Sequence, residues 1–118
     1  MFVPYAYEDQ ECPHYDELLA IMQKLNESYL DGRCQVGSAA NILQYKCPGT
    51  CLDYIFDKLN TKYAFGWEIY GISQSDRSSS RFLAMNKEES CFSYFNPMTS
   101  SLYDKTLNSW LNVIKDLL

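Results

Sequence analysis

The chain has 118 residues and a formal net charge of −5, with 47% apolar and 21% charged residues. This composition is typical of a folded globular protein of at most one domain, and it excludes a disordered, collagenous or coiled-coil chain. The acidic balance, without a dense cluster of Lys or Arg, excludes nucleic acid and anionic membranes as partners. No uncharged apolar run approaches the ~20 residues of a membrane-spanning helix, and residues 1–4 lack the features of a signal peptide.

The cysteines and the single histidine limit the metal and redox chemistry of the chain. The cysteine count is odd, so at least one thiol is free or pairs outside this chain: Cys12, Cys34, Cys47, Cys51 and Cys91. We interpret Cys47 and Cys51 either as packing residues or as the two cysteines of one disulfide. His14 has no second histidine and no His-x-x-Glu beside it, so the common zinc ligand sets cannot be assembled and we expect no metal ligands in this chain.

The first half of the chain predicts two helices. An apolar stripe predicts helix one over 15–30, and Asp31-Gly32 ends it: Leu18, Leu19, Met22, Leu25 and Tyr29. Residues 35–45 suit either a short helix or a loop. Pro48 and Gly49 mark a turn, and Thr50 is placed to cap a second helix that runs to Leu59.

The second half predicts one strand, a loop and a helix. Residues 63–70 alternate, which puts Tyr63, Phe65, Trp67 and Ile69 on one face of a strand. Residues 72–90 are rich in serine and predict a surface loop, and residues 97–118 predict an amphipathic helix. Even if residues 2–7 form a second strand, the sheet is too small to be stable alone. We therefore expect an α/β chain that is part of a larger domain.

Glu68 is the most unusual position, because a carboxylate follows an aromatic-rich strand and lies two residues after Gly66 on the same face. Burial of an unpaired carboxylate costs several kcal/mol or raises its pKa. Ligands of α/β sheets bind at the carboxyl ends of strands, so a functional acid or base is one interpretation. The alternative is a solvated strand end at which Glu68 pairs with a nearby lysine.

Four segments together resemble the C-terminal half of the catalytic domain of zinc metallocarboxypeptidases of the carboxypeptidase A/B type. Residues 2–7 (Phe-Val-Pro-Tyr-Ala-Tyr) resemble the Pro-Tyr-Gly-Tyr stretch of the family, and residues 36–45 resemble the segment leading to its mobile substrate-binding tyrosine. Residues 49–54 (Gly-Thr-Cys-Leu-Asp-Tyr) are similar to its Gly-Ser-Thr-x-Asp-Trp pattern. Residues 62–68 (Lys-Tyr-Ala-Phe-Gly-Trp-Glu) are similar to its strand that ends in the catalytic glutamate. Residues 91–97 resemble a plant and protist branch.

The resemblance implies that residues 1–118 are a partial peptidase domain. It implies the C-terminal part of a three-layer α/β/α domain with a mixed, eight-stranded sheet. The implied activity is removal of C-terminal, apolar residues from peptides or proteins, with zinc as the cofactor of the complete domain. By resemblance alone, the secretory pathway is favoured as the compartment.

The resemblance also assigns roles to residues. Zinc would polarise the scissile carbonyl and acidify a bound water, and Glu68 would accept the proton of that water and pass it to the departing amine. Tyr45 would close over the C-terminal residue of the substrate. Thr50, Leu52 and Gly66 would line the specificity pocket, where Leu52 favours apolar residues. Leu52 also suits the core of the second helix.

The sequence departs from the family in what it lacks. The three zinc ligands and the arginines that bind the substrate carboxylate belong to the half that would precede Met1, so we expect the missing N-terminal half of the domain as a partner and an isolated chain without activity. Gly66 stands where the family often has Thr. Two alternatives are a non-catalytic binding module derived from the peptidase fold and a small disulfide-stapled secreted domain.

Overall fold

The computed structural model describes residues 1–72 and 83–118, in two compact units, Met1–Trp67 and Glu68–Leu118. The described residues form a mixed helix-and-strand fold, as the α/β prediction requires. About half of the residues are helical. The elements follow in chain order: β1 (Phe2–Val3), α1 (Tyr15–Tyr29), β2 (Gly37–Ser38), α2 (Ala39–Leu43), α3 (Cys51–Asp57), α4 (Lys87–Phe95) and α5 (Ser100–Leu117). No helix in the described ranges is long and apolar enough to cross a membrane.

Helix α1 supplies most of the core of the first unit and confirms the predicted helix one. Leu18, Met22 and Leu25 are buried along its inner side, where the 3–4 residue spacing aligns them. The helix ends where Asp31 and Gly32 take positive φ angles, and the Gly32 amide donates to the Asn26 carbonyl at 3.0 Å. Local chemistry therefore sets both the extent of α1 and its buried side.

The two short strands and residue 66 form a small mixed sheet. Strands β1 and β2 pair in parallel, with Phe2 opposite Gly37 and Val3 opposite Ser38. On its other side, Phe2 forms an antiparallel bridge with Gly66, through N–H to carbonyl distances of 2.7 and 2.9 Å. Strand β1 therefore lies between two neighbours. The Pro4–Tyr5 peptide bond that follows β1 is cis.

The predicted strand over residues 63–70 is wrong in extent. Only Gly66 pairs with another strand; Tyr63 and Ile69 are more than half exposed, and Ala64 is buried. The Tyr63 hydroxyl donates to a Glu17 carboxylate oxygen, which also accepts from Lys62, both at 2.8 Å. The Lys62 and Tyr63 hydrogen bonds lower the pKa of Glu17.

The ambiguous residues 35–45 contain β2 and the five-residue helix α2. The second predicted helix is confirmed as α3, although it ends at Asp57. The Thr50 hydroxyl accepts the Asp53 amide at 3.3 Å and so caps the helix, as predicted. Gly49 precedes this cap with a φ of +89°, a conformation that other residues rarely adopt.

The second unit corrects the predicted 72–90 loop. Residues 73–82 lie outside the described residues, and residues 87–90 belong to helix α4. Asn86 and Glu89 start this helix because each side chain bonds the backbone amide of the other. The C-terminal helix, predicted from residue 97, begins at Ser100 because the Thr99 hydroxyl accepts the Leu102 amide.

Replacement of Met22 tests the core of the first unit. Met22 is fully buried and its sulfur accepts the Trp67 indole N–H at 3.4 Å. We expect Met22→Ala to lower the free energy of unfolding by about 2–5 kcal/mol, because it leaves a cavity. Chemical denaturation measures the change, with Gln23→Ala on the exposed side of the same helix as the control. Equal stability of the two variants would contradict this core assignment.

Candidate functional site

Two of the predicted site residues, Leu52 and Gly66, lie side by side. Leu52 is 9% exposed and belongs to an apolar cluster with Ala6, Ala39 and Ala64. A Cβ atom built on Gly66 would lie 3.6 Å from Leu52 Cδ2 and 3.4 Å from Phe2 Cδ2. Leu52 and Phe2 therefore line the space beside Gly66, which has room for about one methyl group.

Thr50 joins this cluster to the surface. It precedes Leu52 by two residues, and its hydroxyl oxygen is the acceptor that caps α3. An open depression with a volume of about 430 Å³ includes Thr50 in its lining. Three of the lining residues are charged, and the full set is Gly49, Thr50, Cys51, Asp53, Tyr54, Asp57 and Lys58. Its volume suits a small ligand. Of the predicted site residues, only Thr50 belongs to this lining.

Tyr45 and Glu68 are both exposed. Tyr45 is 59% exposed and follows Gln44, whose positive φ of 59° ends α2. Its ring stands at the surface on the turn that leads to Thr50. Glu68 is the first residue of the second unit, whereas Tyr45, Thr50, Leu52 and Gly66 belong to the first. Because Glu68 is exposed, the expected desolvation of a buried carboxylate does not apply to it.

The Asp53 carboxylate forms a long-range hydrogen bond beside the site that its sequence position does not predict. The carboxylate is buried, and both oxygens accept the backbone N–H of Ala6, at 3.0 and 3.2 Å. Thr50-x-x-Asp53 has the spacing of a capping box, which predicts a bond from Asp53 back to the Thr50 amide. The structure directs the carboxylate to a residue 47 positions away instead.

The segment around Ala6 is held from several elements. The Ala6 carbonyl accepts the Cys47 amide at 2.8 Å, and the Tyr5 carbonyl accepts the Ala40 amide at 2.9 Å. The Tyr5 hydroxyl donates to Asp57 Oδ1 at 3.1 Å. Burial, and then this bond to Asp57, raise the pKa of Tyr5 well above its usual range. Tyr5 therefore remains a hydrogen-bond donor throughout the neutral range.

The described residues do not fit a zinc ion by themselves. Within residues 1–72 and 83–118, no three His, Cys, Asp or Glu side chains come together as a metal site. All five cysteines are free thiols, and burial raises the pKa of Cys12 and of Cys34. A raised thiol pKa disfavours the thiolate that binds metals.

The Asp53 bond can be tested by substitution. We expect Asp53→Ala to lower the free energy of unfolding by about 1–3 kcal/mol, because the Ala6 amide loses its acceptor. The amide hydrogen of Ala6 should also exchange faster with deuterium. Asp53→Asn keeps one acceptor oxygen and should lose less. Asp16→Ala, on the exposed first turn of α1, is the matched control; unchanged Ala6 exchange in Asp53→Ala would show that the bond contributes nothing.

Comparison with known proteins gave no match to a family model, to a curated protein or to a solved structure.

Proposed function

We propose that this chain forms the C-terminal half of the catalytic domain of a zinc metallocarboxypeptidase that removes apolar C-terminal residues. The observation that supports this function best is the meeting of the resembling segments in the first unit. Leu52, from residues 49–54, contacts the position of Gly66, from residues 62–68. In the family, these two segments line one specificity pocket. They are distant in sequence, so their contact does not follow from chain connectivity.

The other two segments join the same region. Ala6, from residues 2–7, donates its amide to Asp53, and the carbonyl of the neighbouring Tyr5 accepts the amide of Ala40, from residues 36–45. Phe2 bridges Gly66. Each segment that resembles the family is thus bonded to another one. This network supports a common site more strongly than any single short match does.

The small sheet supports the proposed three-layer α/β/α architecture. It already combines a parallel pair, β1 with β2, and an antiparallel bridge from Phe2 to Gly66, which is the mixed character of the proposed eight-stranded sheet. Phe65 makes no backbone hydrogen bond within the described residues. Because hydrogen-bonding groups alternate sides along an extended segment, we propose that a strand from the missing N-terminal half pairs at Phe65.

The roles proposed for the residues follow from the resemblance. In this proposal Glu68 accepts the proton of the attacking water and delivers it to the amine that leaves. Tyr45, exposed on its turn, covers the bound C-terminal residue, and Leu52 provides an apolar end to the pocket. Residues of the N-terminal half would hold a zinc ion, which would supply Lewis-acid polarisation of the scissile carbonyl. The substrate is the C-terminal residue of a peptide or protein.

Substitution of Glu68 is the direct test, in the polypeptide that carries this chain after a segment with His-x-x-Glu. Glu68→Gln keeps the size of the side chain but removes the proton acceptor. We expect kcat for a peptide ending in Phe or Leu to fall by about 10²- to 10⁴-fold, with little change in zinc content or in KM. Glu88→Gln on α4 is the matched control, since Glu88 is also an exposed carboxylate of the second unit.

Two results would reject the proposal. The first is near-normal hydrolysis by Glu68→Gln. The second is a coding sequence without a His-x-x-Glu segment upstream, which would favour a non-catalytic binding module. In that case, the chain should bind a peptide with a free C-terminal carboxylate without cleaving it.

Replacement of Tyr45 should affect binding rather than chemistry. Tyr45→Phe removes one hydroxyl donor, worth roughly 1 kcal/mol, so we expect KM to rise several-fold while kcat changes little. Tyr103→Phe is the matched control, because Tyr103 has a similar exposure of 55% on helix α5, outside the proposed site. A large loss of kcat in Tyr45→Phe would place its hydroxyl in the chemical step instead.

A further inference from the structure

The apolar surface of helix α5 extends beyond the side that its unit buries. Trp110 and Val113 are buried, and the Trp110 indole N–H donates to the Ile69 carbonyl. Beside Trp110 on the helix, four large apolar residues remain exposed: Tyr103, Leu107, Leu111 and Ile114, at 55%, 44%, 41% and 38%. Their spacing of four, four and three residues places them in one line along the helix. We call these four residues the α5 stripe.

Charged residues of opposite sign border the α5 stripe at its two ends. Asp104 lies near the start of the helix and Lys115 near its end, and both are exposed. At 3.6 residues per turn, the two side chains lie about 60–80° from the Leu107 direction, on the same edge of the stripe. The border is therefore negative at one end and positive at the other.

We infer that the α5 stripe binds the α5 stripe of a second copy of this chain, with the two helices antiparallel. In this arrangement Leu111 lies near the two-fold axis and contacts its own copy, and Leu107 faces Ile114 of the other copy. Asp104 of each chain then faces Lys115 of the other, as a two-fold interface requires. In a parallel two-fold pair, the edges that carry Asp104 and Lys115 would lie on opposite sides of the interface, where neither edge meets the other. Only the antiparallel pair brings the opposite charges of the two copies together, so the charges favour this orientation.

The size of the stripe sets the strength of the dimer. Helix α5 has 18 residues and is about 27 Å long. An interface of this length and one helix in width falls near or below the ~1,200 Å² that marks the lower end of stable interfaces. We therefore expect a reversible dimer with a Kd on the order of micromolar. The exposed Asp104–Lys115 pairs contribute to orientation more than to affinity.

Sedimentation velocity of the whole chain, over a wide range of concentration, tests the dimer. We expect a monomer–dimer equilibrium that Leu111→Glu weakens by about tenfold or more, because it buries a carboxylate at the two-fold axis. Asn112→Glu is the matched control: it adds the same charge to the next exposed residue, away from the stripe, and should leave the Kd within about twofold. Circular dichroism confirms that both variants keep their helix content.

Charge exchange tests the orientation. Asp104→Lys alone and Lys115→Asp alone should each weaken self-association, because each places like charges opposite one another. An equimolar mixture of these two variants should form a heterodimer that is tighter than either homodimer. The double variant Asp104→Lys/Lys115→Asp should recover the Kd of the unmodified chain. Failure of both recoveries would overturn the antiparallel arrangement.

Three further results would overturn the inference. A chain that stays monomeric throughout has no such interface. Self-association that Leu111→Glu leaves unchanged arises elsewhere, for example at the sheet edge formed by the backbone of Phe65, which we call the Phe65 edge. A monomer that Leu111→Glu destabilises has its stripe covered within its own polypeptide. The inference does not rest on the proposed peptidase function, since these measurements use neither substrate nor zinc, so each can fail alone.

Discussion

The bond between the Asp53 carboxylate and the Ala6 amide is the constraint on which the first unit depends. A buried carboxylate is tolerated only when hydrogen bonds replace its lost hydration. Both Asp53 oxygens meet this requirement at a single backbone N–H. Helix α3 is thereby tied to the segment that leaves β1, and this segment also receives amides from α2 and from the turn before α3. The segment that leaves β1 therefore connects the sheet to both α2 and α3.

The same anchor determines the surroundings of the candidate pocket. Leu52 is the residue before Asp53, and the first turn of α3 is fixed by Thr50 at one end and by Ala6 at the other. Leu52 therefore has little freedom to move away from Gly66 and Phe2. In the proposed function, an apolar pocket end held in this way would select substrates by shape, because displacing Leu52 would also strain the Asp53 bond. Asp53, which has no proposed role in substrate binding, thus positions Leu52, which has one.

Most of the helices could be predicted from the sequence because their signals are local. The stripe of α1, the Thr50 cap of α3 and the amphipathic pattern of α5 each lie within one element. Helix α4 was missed because the serine-rich composition outweighed the Asn86-x-x-Glu89 capping signal. The bond from the Tyr63 hydroxyl to Glu17 could not be predicted, because it joins residues 46 positions apart. The partner of Asp53 could not be predicted, since no local pattern encodes a bond to Ala6. No local pattern predicts that Leu52 lies beside Gly66. Only the resemblance put the two residues in one pocket.

Two surfaces of this chain remain incomplete, and they differ in the partner they need. The Phe65 edge presents backbone hydrogen-bonding groups, which only another extended segment satisfies. The α5 stripe presents apolar side chains on a helix whose own hydrogen bonds are complete, so any matching apolar surface can cover it. The edge belongs to the first unit and the stripe to the second. A strand that completes the sheet therefore does not replace the contact that the stripe requires. The two surfaces thus need two different kinds of partner, for which we propose the N-terminal half and, from the charges beside the α5 stripe, a second copy of the chain.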